Sequence, residues 1–417
     1  MQVDAIVVGG GMVGAACAAL LADEGLSVLV LEAAAPTAAP QQAAVGVDDF
    51  EPRVSALTLA TQQLLVSLDA WRHVCAPRCE AYARMQVWDA EGTGSLNFDC
   101  ADTGTPALGW IVENAQVAAA LRAACAQRPG IAWRDGARIA GMNRRNGRWE
   151  VALAGGETVS APLLVGADGA QSQVREQLGI RLDTQDYRHH AIVCTVRTAQ
   201  PHGDCARQRF LDEGPLAFLP LAGGDGHFCS VVWSVPPARA QELLALDDAA
   251  FAARLADAFE QRLGEVCAVS RRAAFPLVGR HARQYVHEGA VLVGDAAHTV
   301  HPLAGQGVNL GFLDAATLAE EVGRSLARGL PATEPLGLRR YERRRRLHNT
   351  LMQQSFAGLK ALFGARALPV RWLRNTGLSL VDQVLPAKVL FARQAMGLDG
   401  DIPARCRPAP RGADLLA

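Results

Sequence analysis

The chain has 417 residues, 50% of them hydrophobic and 20% charged, which is enough apolar material for two to three domains around a sizeable core and excludes a disordered chain. A formal net charge of −1 supplies no global field to draw in nucleic acid or an anionic membrane, so any such contact has to be local. Ten irregularly spaced cysteines in a chain this long point to a reducing cytoplasm, and the close pair Cys75 and Cys79 lacks a second pair or histidines at zinc spacing, so no metal is expected.

The first element is Val3 to Val8, an unbroken apolar run that predicts a strand buried on both faces. Gly9-Gly10-Gly11-Met12-Val13-Gly14 follows, and a helix of small residues runs through Asp23 to its stop at Gly25. The stretch from Ala5 to Ala22 is uncharged, as a signal peptide or membrane span would be. Asp4 stands where a signal needs Lys or Arg, and a glycine costs about 1 kcal/mol inside a helix, whereas a strand–turn–helix uses all of these glycines. Leu26 to Leu31 predicts a second strand ending in Glu32, the place where a dinucleotide fold puts its ribose-binding acid. In such a turn Gly9 permits the bend, Gly11 lets the backbone approach a pyrophosphate, and Gly14 lets the helix pack close, with the phosphates on the helix N-terminus near Met12 and Val13.

Ala33 to Pro52, rich in Ala, Pro and Gln, predicts a mobile loop. Arg53 to Leu57 starts a new ordered element, and a helix follows over Thr61 to Leu68. Met85 to Phe98 alternates around Gly92 and Gly94, the pattern of a hairpin entering an antiparallel sheet. Gly109 to Ala126 predicts a helix, with Asn114 near its start in a capping position. Leu163 to Val165 repeats the buried-strand pattern and runs into Gly166-Ala167-Asp168-Gly169-Ala170, with Ser172, Val174 and Arg175 in a new helix. Short alternating segments from Ala191 to Val235 predict an antiparallel sheet, and Asp247 to Leu263 a helix.

The most informative stretch is Ala290 to Asp314, AVLVGDAAHTVHPLAGQGVNLGFLD. Ala290 to Val293 reads as another buried parallel strand, Gly294 as a sharp turn, and Asp295 as a carboxylate at the strand's end, suited to accept hydrogen bonds from a polyol. Pro302, Gly305 and Gly307 make a loop whose backbone N–H groups can face a planar ligand, with Gln306 and Asn309 adding side-chain polarity. A helix begins at about Val308, and its N-terminus, carrying roughly half a positive charge, points at that loop.

This run resembles the corresponding segment of the class A flavoprotein monooxygenases, and GDAAHTVHPLAGQGVNLG most of all that of the ubiquinone-biosynthesis hydroxylases. The resemblance extends from Asp4 to about Leu398 and includes GADGAQSQVR, the motif with which that class secures both flavin and nicotinamide donor. It implies an α/β fold: a discontinuous Rossmann-like FAD-binding domain over 1–75, 105–182 and 280–345, and an inserted antiparallel-sheet substrate domain over 76–104 and 183–279. Helices over 346–400 and a disordered tail over 401–417 complete the expected layout. Arg53 and Asn114 match positions that contact FAD in the family, and His301, Pro302 and Gln306 would lie beside the flavin; no general base is identified. Gln208 to Phe210 and Gly214 to Leu221 match substrate-side strands, and equally read as ordinary core.

The implied chemistry is the cofactor's: FAD, reduced by NADH or NADPH, takes up oxygen to a C4a-hydroperoxide whose distal oxygen hydroxylates an aromatic ring. The family's substrates are polyprenylated phenols, with other proteins of the same pathway as partners. A hydroxylase of a small soluble aromatic acid and a non-catalytic FAD-binding scaffold are the alternative readings. The basic run Arg339 to Arg346 predicts a solvated helix face, since a nucleic-acid role needs more basic surface. Phe356, Leu359, Leu362, Phe363 and Trp372 either pack onto the body or form an apolar surface for lipid or a partner, which would place a cytoplasmic protein at the inner face of the membrane.

Overall fold

The computed structural model describes residues 1–35, 43–75, 78–90, 94–300, 307–364 and 385–408. A six-stranded sheet runs in the order Val286–His287, Ala290–Leu292, Leu163–Gly166, Ala5–Val8, Val28–Leu31, Ile131–Arg134. All but the first strand are parallel. The four residues of Ala5–Val8 are fully enclosed, as are those of Val28–Leu31 and Leu163–Gly166, which is why these runs lack alternation. Each fully buried Val, Leu or Ile contributes roughly 1.5–3 kcal/mol. Helices Met12–Asp23, Asn114–Ala126 and Gly307–Leu326 contribute to the same core, and the antiparallel strands Ile139–Arg145, Arg148–Leu153 and Thr158–Ala161 form a separate small sheet against it.

A nine-stranded sheet carries the second core. Leu182–Thr198 is its long central strand, paired to Ala273–Ala282 and Phe228–Val235, and Gly214–Pro220, Cys205–Leu211, Arg84–Asp89 and Ser95–Asp99 extend it outward. One pair departs from the antiparallel expectation: Arg84–Asp89 lies parallel to Cys205–Leu211. These strands come from separate stretches of chain, so no hairpin dictates their relative direction. Trp88, Leu216, Phe218 and Trp233 are buried under helices Pro237–Ala245 and Asp248–Ala258, with the Phe218 and Phe259 rings stacked at 3.9 Å.

A fourth sheet, of three strands, corrects the helix expected from Gly109. Gly109–Glu113 is a strand, paired on one side with Val54–Leu57 and on the other with Cys79–Tyr82, and the helix begins only at Asn114. The run GWIVE is rich in β-branched and aromatic residues, and tertiary pairing overrides the helical spacing. The expected loop before it is partly built in: Asp49 accepts from the Val45 and Gly46 amides at 2.9 and 2.8 Å, and Ala44 and Phe50 are buried against Ile111 and Phe228.

The helix Pro335–Gly364 spans the expected boundary at residue 346. Its basic run is a solvated face only in part: Arg339, Arg343 and Arg346 are exposed, but Arg345 is 1% exposed, and Arg340 and Arg344 pair with the buried Glu321. Helical spacing turns Tyr341 and Arg345 inward together. The expected disorder from Asp401 fails at its start, because Asp401 pairs with Arg344 at 2.6 Å, Arg405 with Asp23 at 3.1 Å, and Cys406 is buried. The side chains of Phe356, Leu359, Leu362 and Phe363, and all of Trp372, lie outside the described residues.

Candidate functional site

Strand register brings the three motifs together. Val8 pairs with Gly166 and with Leu31, and Gly166 with Leu292, so the Gly9 turn, the Asp168 loop, Glu32 and the Gly294 turn all leave the same carboxyl edge of the sheet. Ligands of open parallel sheets bind along that edge. At Gly9, with φ +97°, a Cβ would stand 2.4 Å from the Ala167 carbonyl oxygen, and one on Gly14 would meet the Gly9 oxygen at 1.9 Å. Nothing lies within 4 Å of a Cβ position on Gly11, so its backbone is open to an approaching group. Val13 packs against Gly294 and Gly311, which sets the N-terminus of Met12–Asp23 beside that of Gly307–Leu326.

Glu32, expected as the ribose-binding acid, accepts from the Gly10 amide at 2.6 Å and the Ala34 amide at 2.8 Å, and thereby braces the glycine turn. Asp168 accepts from the Val174 amide at 3.1 Å through one carboxylate oxygen; the other is buried without a partner. Gly169 follows at φ +79°. Arg175 is buried and donates to the Ala170 and Ala296 carbonyls, both at 2.9 Å, tying the Asp168 loop to the Gly294 turn. Asp295 is solvent-exposed, yet protein surrounds it closely enough that desolvation raises its pKa against the opposing fields of His298, Arg53 and Arg280. Arg53 is among the cations close enough to act on this carboxylate.

Asn114 does not cap its helix. Glu113 is the capping residue and makes no side-chain cap bond, while the Asn114 side-chain oxygen accepts from the Ser55 hydroxyl at 2.6 Å and its amide donates to the Arg53 carbonyl at 3.0 Å. Arg53 and Asn114 are therefore joined across one strand pair. Asn309 is 2% exposed; it accepts from the Thr61 hydroxyl at 2.7 Å and donates to the Ala56 carbonyl at 2.8 Å, so its side chain anchors the helix to that sheet. Gly307 and Val308 form the helix's first positions. His301, Pro302, Gly305 and Gln306 lie outside the described residues.

A buried polar junction behind the site went unread in the sequence. The carboxylate of Asp314, 0% exposed, accepts from the Gly294 amide at 3.0 Å, His298 Nε2 at 2.5 Å, Arg345 Nε at 2.7 Å and Asn349 Nδ2 at 3.2 Å. Burial alone would raise this carboxyl, but His298 and Arg345 hold it far below the usual carboxylate range. The signal was present: an aspartate stands between the apolar residues Leu313 and Ala315, three residues before Thr317 and seven before Glu321 on the same helix face.

The strand faces resolve the substrate-wall question residue by residue. Leu216 and Phe218 belong to the second core, whereas Phe210 packs with Val87, Val300, Leu310, Met85 and Met352, where the large sheet meets the end of the Gly294 segment.

The site's features fit FAD. The open Gly11 backbone and paired helix N-termini suit a pyrophosphate, the partnerless Asp168 oxygen suits a hydroxyl or amide donor, and Asp295 suits a polyol chain.

A sequence profile described as "FAD binding domain" matches residues 92–355, and one described as "NAD(P)-binding Rossmann-like domain" matches residues 7–38. The chain is 39% identical over 394 residues to the 3-demethoxyubiquinol 3-hydroxylase of Escherichia coli (strain K12), covering 94% of this chain and 98% of the relative. It is 37% identical to the ubiquinone hydroxylase UbiL of Rhodospirillum rubrum, with 94% and 89% covered, and 33% identical to the human mitochondrial ubiquinone biosynthesis monooxygenase COQ6, with 92% and 90% covered. Among solved structures, PqsL of Pseudomonas aeruginosa superposes with a TM-score of 0.74 at 22% identity, covering 91% of this chain and 100% of that one. The p-nitrophenol 4-monooxygenase PnpA of Pseudomonas putida also gives 0.74, at 18% identity, with 95% and 98% covered. Both share the fold.

Proposed function

Because this chain belongs to the FAD-dependent class A hydroxylases of ubiquinone biosynthesis, we propose that it adds one hydroxyl to the ring of a polyprenylated benzoquinol at the edge where its three motifs meet. The observation that carries this reading is the register aligning Val8, Gly166 and Leu292, which sets the three motif ends side by side. Relatives named hydroxylases favour neither a small-acid hydroxylase nor a non-catalytic scaffold.

FAD supplies the activation of molecular oxygen. The protein's part is binding, orientation and exclusion of water. Gly9, Gly11, Met12, Val13 and Gly14 hold the pyrophosphate, and Glu32 shapes that turn. Asp295 takes the polyol chain; Arg53 and Asn114 approach from the facing sheet. The N-terminus of the helix at Gly307, Val308 and Asn309 stabilises negative charge on the reduced ring. His301, Pro302, Gly305 and Gln306, which lie outside the described residues, would be the ring-side contacts by family resemblance, and Asp168 and Gly169 would help hold FAD while NADH or NADPH supplied the reducing hydride. Met85, Val87 and Phe210 form an apolar wall that keeps water from the reacting ring.

The side chains expected to touch lipid, Phe356, Leu359, Leu362, Phe363 and Trp372, lie outside the described residues; a separate face for such contact is on the helix Pro335–Gly364. Leu336, Leu347 and Leu351 are 63%, 62% and 53% exposed, with Arg343 and Arg346 exposed beside them. No helix among the described residues is long and apolar enough to cross a membrane, so the contact is interfacial. Deleting the gene and analysing the quinone pool by mass spectrometry tests the substrate. A prenylated ring one oxygen short should accumulate; an unchanged pool contradicts the proposal.

A further inference from the structure

Cys75 ends the short helix Trp71–Cys75 and Cys79 begins the strand Cys79–Tyr82, with their sulfurs 3.9 Å apart in a shared hydrogen bond. Both are only partly buried. The surroundings hold the two ends in place: Arg78 between them donates to the buried Glu113 at 2.6 Å and to the Asp49 carbonyl at 2.6 Å, and Cys79 pairs in register with Val112. The helix side is held too, since Gln116 donates to the His73 carbonyl at 2.8 Å.

These two thiols touch each other; Cys100 is partly buried as they are, but burial and then Asp99 raise its pKa. Cys17, Cys125, Cys194, Cys205, Cys229 and Cys406 are buried, and burial pushes Cys17, Cys125, Cys194, Cys229 and Cys406 up to about 12, which makes them inert. Cys267 is exposed, with its thiol against the Glu265 carbonyl. At the pair, the hydrogen bond between the two thiols lowers the Cys75 pKa and, with burial, raises that of Cys79. Two partly buried thiols held in contact can serve as nucleophile and resolving partner. A metal is not the occupant implied, because no group of three or more His, Cys, Asp or Glu ligands occurs among the described residues.

We propose that Cys75 and Cys79 are a hydroperoxide-reactive dithiol that closes to an intramolecular disulfide. The Cys75 thiolate attacks a peroxide oxygen; the S–O bond forms, the O–O bond breaks, and the departing hydroxide takes the proton Cys75 had released. Cys79 sulfur then attacks the Cys75 sulfenic acid; the S–S bond forms, the S–O bond breaks, and water leaves with the Cys79 proton. Two thiols lose two electrons, and one hydrogen peroxide becomes two waters. A flavin site of this kind releases hydrogen peroxide whenever reduction outruns hydroxylation, and Val112, the register partner of Cys79, is two residues from Asn114, a residue proposed to approach FAD. That source of oxidant rests on the hydroxylase reading; the reactivity of the pair does not.

Trypsin cuts after Arg72, Arg78 and Arg84, which places the two cysteines on separate peptides, 73–78 and 79–84. The FAD-loaded full chain is treated with hydrogen peroxide, alkylated, digested and analysed by mass spectrometry. The two peptides should be recovered joined, two hydrogens lighter than their sum and separable by dithiothreitol. In Cys79→Ser, peptide 73–78 should instead carry a dimedone adduct on Cys75. Recovery of both peptides separately alkylated, under peroxide that oxidises Cys267, overturns the proposal; so does pairing of either with another cysteine, or a Cys79→Ser protein without the adduct.

Discussion

Asp314 has four donors from the Gly294 turn, from His298 and from the helix Pro335–Gly364, so the charge on Arg345 is tolerable only while that carboxylate is ionised. Removing one partner of a buried ion pair typically costs about 3–5 kcal/mol, because the other charge is left unpaired. Asp314→Asn should lose stability on that scale in chemical denaturation, and a loss below about 1 kcal/mol would show the junction to be incidental. The pH dependence has the same sign for two groups. The Asp314 pKa is depressed in the fold, so its stabilisation is complete above the unfolded value of 3.8 and fades as pH falls through it. His348, lowered from 6.5 to about 4 by burial and then by Arg345, is neutral in the fold; stability is full above pH 6.5 and declines towards pH 4, since the unfolded chain takes up the proton first. Denaturation at neutral pH and at about pH 5 should show this decline, and His348→Gln should flatten it. An unchanged slope in that variant would assign the decline elsewhere.

At the scale of elements, the strands ending in motifs were legible because a parallel strand buried on both faces has no alternation to misread, as with Val3 to Val8 and Leu163 to Val165. Gly109–Glu113 was not, because its five residues pair with two partners distant in sequence. Arg345 was unreadable for a similar reason: its counter-charge is thirty-one residues away, and a basic run looks solvated until its phase against Asp314 is known. Asn114 and Asn309 were picked out as polar residues near the ligand, while their bonds to Ser55, Thr61 and Ala56 depend on a sheet that the sequence did not announce. The exposed leucines on Pro335–Gly364 carry a separate expectation. Leu347→Glu together with Leu351→Glu should abolish cosedimentation with anionic phospholipid vesicles and leave FAD content unchanged; full binding by the double variant would contradict an interfacial role for that face.

For the whole molecule, the sheet edge, the glycine turns and the apolar cluster around Phe210 are consistent with the proposed arrangement, in which FAD would extend from the Gly9 turn towards the Gly307 helix. The sequence carried this layout because each motif is local, a strand followed within a few residues by its glycines and acid. It did not carry the phase of the large sheet's strands, which decides that Phe218 lies in the second core while Phe210 packs with Val87, Val300 and Leu310. The most direct measurement is to supply the purified FAD-loaded enzyme with NADH or NADPH, a prenylated benzoquinol and 18-O-labelled dioxygen, and to weigh the product. The account predicts a ring carrying a single labelled hydroxyl; consumption of reductant and oxygen with only labelled peroxide formed and the ring unaltered would contradict it.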